Sequence, residues 1–255
     1  MAEHREKRYK AVVIDLFDTL VSWNPSGLPL VEFRGKPLRS TMPLLFPTLQ
    51  SALGPRFDRD KFMAVHQSVY AEIFAQRLNH DAVETTCLQR FAMTLEMLGL
   101  NDGQVAPLAE KLRRIHMARV REVTSAPAAR VDAMKKIAAK MRVGLISNFD
   151  DSETGHLIMH DTGIRDLFEA VIISADTGWR KPNPLIFQRM LEQMKLEPAD
   201  ILFVGDTPHD DVLGSKRVGM RCAWIQSRGR DLPGDVPAPD IIIGDLSELP
   251  ARLGC

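Results

Sequence analysis

The sequence predicts an α/β fold: a Rossmann-like parallel sheet flanked by helices, with an α-helical domain inserted into it. After residue 127, short apolar runs alternate with helical patterns. Such alternation is typical of parallel strands that are covered on both faces. A similar apolar run at residues 10–15 stands alone near the N-terminus, and a long helical block separates it from the others. We therefore expect this first strand to join the later ones in a single sheet.

The position of the helical block fixes the expected domain boundaries. Residues 1–20 and 125–255 are expected to form one discontinuous core domain, and residues 21–124 a flap followed by helices. Proline and glycine are frequent at 21–40, and apolar fragments lie at 21–23 and 30–33, which predicts a hairpin or an irregular flap. From about 41 to 123 the spacing of apolar residues is helical. Asp58 and Asp81 are the expected N-caps of two of these helices.

The C-terminal half predicts a regular alternation of helices and strands. Short apolar runs bounded by helical patterns predict buried strands. The expected strands lie at 143–146, 170–173, 201–204, 222–225 and 241–243, and the expected helices at 128–140, 152–161, 184–195 and 209–218, before a short terminal helix.

Composition narrows the possible partners. The 255 residues include 33 basic and 33 acidic side chains, so the formal net charge is zero and nothing favours binding to nucleic acid or to an anionic membrane. The N-terminus lacks an apolar leader, and no apolar run is long enough to cross a bilayer. Three widely spaced cysteines favour a reducing cytoplasm. A small-molecule substrate is expected, and the oligomeric state stays open.

Polar residues follow four of the predicted strands. Asp15 ends the first strand, the pair Ser147 and Asn148 ends the second, and Lys181 follows the third. The fourth strand leads into an acidic segment, 206–211. Because parallel strands end at one edge of a sheet, these side chains are expected to meet there. Individually, Ser147 and the aspartates could be helix caps or turn formers, and Lys181 a solvated loop residue.

The four motifs together resemble the haloacid dehalogenase-like hydrolase superfamily. The resemblance runs from residue 10 to about 245 and includes the segments 15–19, 147–148, 178–187 and 205–211. It implies a Mg²⁺-dependent hydrolase, most often a phosphatase, that forms an aspartyl-phosphate. It also implies that the helical insertion is a cap that covers the site and selects the substrate.

The resemblance assigns a role to each motif residue. Asp15 would be the nucleophile, and Mg²⁺ would be held by Asp15, Asp206 and the main-chain carbonyl of Phe17. Lys181 would neutralise charge on the nucleophile and on the transferring group, and one of the two aspartates at 210 and 211 would support the metal or the lysine. The expected substrate-binding side chains are Thr19, Ser147, Asn148 and Lys181.

One position departs from the phosphatase pattern. Family phosphatases usually carry a second aspartate two residues after the nucleophile, where this chain has Phe17. That aspartate is the general acid and base, whose help is typically worth about 10²–10⁴ in rate. Three hypotheses follow. The protein is a phosphatase whose substrate has a good leaving group, or whose acid comes from elsewhere, such as His209 or the cap; it is a 2-haloacid dehalogenase; or it is a module that binds phosphate or a partner without turnover. Asp18 is not an obvious substitute.

The acidic segment favours the first hypothesis. Like charges about 4 Å apart repel by about 4 kcal/mol at an effective dielectric of 20, so clustered carboxylates favour a divalent cation. Metal-free dehalogenases of the family carry mostly neutral residues at the positions of Asp206 and Thr207. The substrate itself is not specified by the motifs; the candidate selectivity residues in the flap and helical block are Trp23, Arg34, Arg39, His66 and Tyr70.

Overall fold

A six-stranded parallel sheet forms the centre of the molecule. The computed structural model describes residues 9–79, 82–226 and 231–255. The strands are β1 (Ala11–Ile14), β2 (Ser22–Trp23), β3 (Leu30–Phe33), β4 (Lys36–Arg39), β5 (Thr124–Ser125), β6 (Arg142–Ser147), β7 (Ala170–Ile173), β8 (Ile201–Gly205), β9 (Arg221–Ile225) and β10 (Ile241–Ile243). The helices are α1 (Met42–Leu53), α2 (Arg59–Asn79), α3 (Cys87–Met97), α4 (Asp102–Glu122), α5 (Ala128–Ala138), α6 (Ser152–Asp161), α7 (Ser174–Thr177), α8 (Pro184–Met194), α9 (Gly214–Arg217) and α10 (Leu249–Leu253).

The order of the strands confirms the predicted fold class. The sheet runs β10-β9-β8-β1-β6-β7, and its neighbouring strands pair in parallel. β1 lies between β6 and β8, although the helical block separates it from both along the chain. It is buried along its whole length, since helices cover both faces of the sheet. This arrangement brings the carboxyl ends of β1, β6 and β8 next to one another.

The flap predicted at 21–40 contains one hairpin. β3 and β4 pair in antiparallel fashion around Arg34 and Gly35, which both have positive φ, as expected of a type I′ turn. The apolar fragment at 21–23 contains β2, which takes no part in this hairpin and pairs instead with β5, at the far end of the helical block. Both connections between the sheet and the block therefore run side by side as a short two-stranded ribbon.

Helices α1–α4 form the helical insertion, residues 41–123, with an apolar core of its own. Asp58 caps α2 as predicted, because its Oδ1 accepts a hydrogen bond from Lys61 N at 2.9 Å. α3 begins later than predicted: Thr86 is its N-cap and forms a reciprocal capping box with Gln89. Asp81, the cap expected from the sequence, lies outside the described residues, as do residues 1–8 and 227–230.

The predicted helix at 209–218 has a different form. Residues Pro208–Leu213 make one turn of π-helix, and a four-residue helix, α9, follows. The wider turn carries Asp210 and Asp211, and two residues separate it from the end of β8. Wide turns of this kind are frequent at functional sites. Within the described residues, no helix has the length and apolar character needed to cross a membrane.

Candidate active site

Lys181 is the central cation of the candidate site. Its Nζ donates to Asp15 Oδ1 at 2.6 Å, to Asp211 Oδ1 at 2.7 Å and to the carbonyl of Ile146 at 3.2 Å. These acceptors come from the end of β1, from the π-helical turn that follows β8 and from β6, and the lysine itself lies on the segment after β7 and α7. Each N–H of the ammonium thus has an oxygen acceptor, which offsets the cost of burying the charge.

Asp211 is fixed from two sides. Its Oδ1 faces Lys181, and its Oδ2 accepts a hydrogen bond from Thr207 N at 2.9 Å. Gly205 makes this position possible, since a Cβ there would lie 2.3 Å from Asp211 Cγ. Gly205 is a residue to which sequence reasoning gave no role of its own; its place at the end of a buried strand, directly before an aspartate, was the available signal.

Three carboxylates share this small space. Oxygens of Asp15, Asp206 and Asp211 all lie within 4.8 Å of one another. Their formal charge of −3 faces one ammonium. The donor set is all oxygen and anionic, and Mg²⁺ is usually held by one or two carboxylates together with waters and substrate phosphate. The residues present therefore fit a divalent cation.

The same crowding changes the acidity of the nucleophile candidate. Burial raises the pKa of Asp15 to about 7, the ammonium of Lys181 opposes that rise, and the Asp211 carboxylate adds to it. The pKa of Lys181 is raised above its usual range, because Asp15 and Asp211 outweigh the effect of burial. The two carboxylates therefore favour the charged form of Lys181.

Asn148 joins two of the loops that build the site. Its Nδ2 donates to the carbonyl of Lys181 and to Asp210 Oδ2, both at 3.0 Å, and its Oδ1 accepts from Lys181 N at 2.7 Å. Asp210 thus faces Asn148, whereas Asp211 faces the lysine. The sequence left open which of the two aspartates approaches Lys181, and the geometry assigns that contact to Asp211. The expected contact of Asn148 with substrate stays a prediction.

Two buried hydroxyls of the candidate site have no hydrogen-bond partner among the residues that the structure describes. Ser147 Oγ and Thr19 Oγ1 are buried and form no hydrogen bond within the described part of the chain. Buried hydroxyls are normally paired, so such atoms indicate a place for an incoming polar group. Ser147 ends β6, and Thr19 follows Asp15 on the loop after β1.

Phe17 places an aromatic ring where family phosphatases carry an acid. The ring packs against Phe149 with centroids 4.8 Å apart. Asp18 is exposed and adopts a positive φ of 58°, and its N–H donates to the carbonyl of Val21 at 2.7 Å. His209, the alternative acid, is half exposed and bonds Asp235 at 3.0 Å.

The five candidate selectivity residues have mostly structural contacts. Trp23 packs against the core of the helical insertion, Arg34 lies over the Phe33 ring, and Arg39 donates to the carbonyl of Leu28. His66 bonds Thr94 inside the insertion. Tyr70 is half exposed on α2, with the Arg90 guanidinium 5.8 Å from its ring.

Comparison with known proteins assigns the family. Residues 9–219 match the model of the haloacid dehalogenase-like hydrolases. The chain belongs to this family and is a hydrolase. The resemblance expected from the four motifs is thus confirmed.

Sequence relatives include several phosphatases. The chain is 27% identical over 195 residues to the pyrimidine 5'-nucleotidase YjjG of Escherichia coli (strain K12), which covers 75% of this chain and 80% of that enzyme. It is 34% identical over 131 residues to the human haloacid dehalogenase-like hydrolase domain-containing protein 3, about half of each chain. A phosphoserine phosphatase of Thermus thermophilus is 34% identical over 87 residues, 34% of each protein.

Solved structures share the fold over nearly the whole chain. A 2-haloacid dehalogenase from Pseudomonas syringae pv. Tomato DC3000 aligns with a TM-score of 0.70 at 21% identity, over 96% of this chain and 98% of that one. The putative hydrolase YfnB from Bacillus subtilis, bound to magnesium, aligns with a TM-score of 0.62 at 19% identity, over 98% of this chain and 100% of that one. At these identities the likeness concerns the fold.

Proposed function

We propose that this hydrolase is a Mg²⁺-dependent phosphatase that acts on a small phosphorylated metabolite through an aspartyl-phosphate on Asp15. The observation that carries the proposal is the convergence of Asp15, Asp206 and Asp211 on a site with one buried ammonium, Lys181. An excess of carboxylates at the end of a parallel sheet suits a cation and an anionic substrate together.

Asp15, Asp206 and the carbonyl of Phe17 are the proposed ligands of Mg²⁺. Asp211 is already engaged by Lys181 and by Thr207 N, so its proposed role is to orient the lysine. When bound, the cation would supply positive charge that binds phosphate and favours the ionised form of Asp15.

The covalent chemistry belongs to Asp15. One carboxylate oxygen attacks phosphorus, a new P–O bond forms, and the bond to the leaving oxygen breaks with its electron pair on that oxygen. Water then attacks the phosphorus of the aspartyl-phosphate, which releases inorganic phosphate and restores the carboxylate. Lys181 stabilises charge on the transferring group, and the hydroxyls of Thr19 and Ser147 donate to phosphate oxygens.

Phe17 restricts the substrates that this chemistry serves well. With no carboxyl group at that position, the leaving oxygen departs without a proton from the usual donor. Substrates whose leaving group is a weak base are therefore favoured, since they need little general acid help. We expect aryl or acyl phosphates to be hydrolysed much faster than alkyl phosphates.

The second candidate function is 2-haloacid dehalogenation. Phe17 favours it, because halide leaves without a proton, and Asp15 would be the nucleophile in this reaction as well. The acidic pair Asp206 and Asp211 disfavours it, since an anionic haloacid gains nothing from additional carboxylates. The third candidate, binding of phosphate or a partner without turnover, fits poorly with a nucleophile and lysine that are already in contact.

The domain roles complete the proposal. We assign residues 1–20 and 125–255 to the catalytic core and residues 21–124 to a flap and cap that selects the substrate. The apolar core of the flap and helical insertion supports this division, and the contacts of the insertion with the loops after β6 and β7 support the role of a cap. Three free cysteines, Cys87, Cys222 and Cys255, fit a reducing cytoplasm.

Paired assays test the proposal. Hydrolysis of p-nitrophenyl phosphate is measured with Mg²⁺ and with EDTA, and chloride release from 2-chloropropionate is measured under both conditions. We expect Mg²⁺-dependent phosphate release that is lost in Asp15→Asn, and no chloride release. Chloride release without Mg²⁺, together with no phosphate release, would establish the dehalogenase instead. Neither activity, with equal stabilisation of the wild type and Asp15→Asn by Mg²⁺ and beryllofluoride, would favour the binding module.

A further inference from the structure

A buried carboxylate of the helical insertion lies between two loops of the candidate site. Glu84 follows α2 and precedes α3, and its side chain has no exposed surface. Its Oε1 accepts from Arg77 Nη2 at 2.8 Å, and its Oε2 accepts from Arg180 and from the hydroxyl of Ser174. Arg77 belongs to the insertion, whereas Ser174 and Arg180 belong to the core, so the carboxylate spans the boundary between them.

The main chain pairs at the same place. Glu84 N donates to the carbonyl of Gly178 at 2.8 Å, and Arg180 N donates to the carbonyl of Ala82 at 2.7 Å. Val83 and Trp179 face each other in this antiparallel pair. The insertion is thus joined by an isolated β-bridge to the segment 178–180, which ends one residue before Lys181. Placement of the lysine loop and placement of the insertion are therefore physically linked.

The contact with Ser174 extends to the second loop. The Ser174 hydroxyl accepts a hydrogen bond from Phe149 N at 2.9 Å, and it donates to Glu84. Phe149 follows Asn148, which bonds both Lys181 and Asp210, and its ring packs against Phe17. One carboxylate thus reaches the Asn148 loop through Ser174 and the Lys181 loop through Arg180.

We propose that Glu84 is a positioning residue that couples the docked position of the helical insertion to the placement of Lys181 and Asn148. In the docked arrangement Glu84 contacts both loops through Ser174 and Arg180, and removal of its carboxylate takes an ionic or hydrogen-bonded contact from each loop. Glu84 is not proposed to touch the substrate. The kinetic part of this inference rests on the proposed phosphatase function, whereas its structural part does not.

Glu84→Gln is the primary variant, since it keeps the size of the side chain and removes its charge. Two arginines then face a neutral amide, so the variant is expected to have a lower melting temperature than the wild type. Ser174→Ala is the milder second variant, because it cuts the link to Phe149 and leaves both ion pairs in place. Asp161→Asn is the matched control: it breaks the ion pair with Arg121, which also joins the insertion to the core but lies in an exposed position away from both loops.

Hydrogen–deuterium exchange gives a readout that does not depend on activity. At a temperature where every variant is folded, we expect Glu84→Gln to raise exchange in peptides covering 145–151 and 178–184. Ser174→Ala is expected to raise exchange in the first of these, and Asp161→Asn in neither. Unchanged exchange in both loops for Glu84→Gln, or for Ser174→Ala should the former not fold, would overturn the proposal even for a protein without phosphatase activity.

Kinetics with p-nitrophenyl phosphate supply the second arm. Loss of a partner that orients catalytic groups typically costs about 10–100-fold in activity. We expect that loss in kcat for Glu84→Gln, with a much smaller change in KM, and partial recovery in Glu84→Asp. Asp161→Asn should stay within about twofold of the wild type. A lower melting temperature for Glu84→Gln with wild-type kcat would mean that Glu84 only stabilises the contact between the insertion and the core. That result would overturn the positioning role.

Discussion

Lys181 Nζ lies 2.6 Å from the carboxylate oxygen of Asp15, although 166 positions separate the two residues in the sequence. The contact unites the loop after β7 with the end of β1, and Asp211 shares the same ammonium at 2.7 Å. With Asp206 close by, the site carries more negative than positive charge. In sites with such an excess of like charge, the groups that function requires lower the stability of the folded protein.

Asp206→Asn tests whether the excess of negative charge lowers the stability of the protein in the absence of Mg²⁺. In EDTA, we expect the free energy of unfolding to rise by roughly 1 kcal/mol, because one of three neighbouring negative charges is removed. Mg²⁺ at about 100 times its Kd should stabilise the wild type by about 2–3 kcal/mol and the variant by much less. Urea denaturation with and without Mg²⁺ measures both effects.

A variant at an exposed acid away from the site provides the control. Asp60→Asn removes one negative charge from a largely exposed side chain and should leave the response to Mg²⁺ unchanged. An equal Mg²⁺ response in Asp206→Asn and in the wild type would show that Asp206 is not a ligand of the cation.

Gly205→Ala tests the close approach of the β8 end to Asp211. The added Cβ would lie 2.3 Å from Asp211 Cγ, so the carboxylate has to move away from Lys181. We expect a loss of about 1–3 kcal/mol of stability from overpacking, together with a large fall in kcat. Gly234→Ala is the matched control, because a Cβ there meets no atom within 4 Å. Equal kcat values for the two variants would contradict the role given to Gly205.

Two neutral histidines in the helical insertion predict a loss of stability in acid. Burial, with Arg90 next in effect, lowers the pKa of both His66 and His116 to about 3. In the unfolded chain both titrate near 6.5, so between these values the unfolded state binds more protons. The stabilisation is complete above pH 6.5 and is lost as the pH falls, at up to about 1.4 kcal/mol per pH unit for each histidine.

Urea denaturation from pH 7.5 to 4.5 measures this effect. Carboxylates also titrate in this range, so the informative quantity is the difference between the wild type and the double variant His66→Asn/His116→Asn. Asparagine keeps a polar group that can bond Thr94 and Thr41, the present partners. The variant should be less stable at pH 7.5 and should lose less stability on acidification. Parallel pH profiles for the two proteins would refute the prediction.

Phe17→Asp restores a carboxyl group at the position of the usual general acid. If the missing acid limits turnover, the variant should gain activity toward an alkyl phosphate, up to about 10²–10⁴-fold. Its gain toward p-nitrophenyl phosphate should be smaller, since that leaving group needs little protonation. Phe17→Asn controls for the lost contact with Phe149 and should show no gain. An absence of gain across several alkyl phosphates would remove Phe17 as the cause of substrate preference.

The sequence predicted the sheet well because its signals are local. β7 and β10 lie where the apolar runs placed them, since a short buried run between turn residues has few alternatives. The pairing of β2 with β5 was missed, because Ser22 and Ser125 lie far apart in the chain and no local pattern links them. Likewise, the sequence pattern at 209–218 predicts an ordinary helix and gives no sign of the π-helical turn at 208–213.

For the candidate site, strand topology predicted which residues lie close together but not every contact between them. Strand ends brought Asp15, Ser147, Lys181 and Asp211 to one edge, as parallel topology requires. The sequence could not separate Asp210 from Asp211, since neighbouring side chains on a helical turn point in different directions and the π-helical form of this turn was not predicted. Glu84 was not singled out, because its importance arises only from where the insertion meets the core.

Phosphorylation of Asp15 is the central claim, and peptide mass spectrometry tests it most directly. The protein is mixed with Mg²⁺ and an aryl or acyl phosphate, quenched in acid within the first turnovers, digested and analysed. The account predicts one additional phosphoryl group on the peptide that contains Asp15, absent from Asp15→Asn and from samples in EDTA. Phosphate release by the wild type with an unmodified Asp15 peptide, or with the group on another residue, would contradict it.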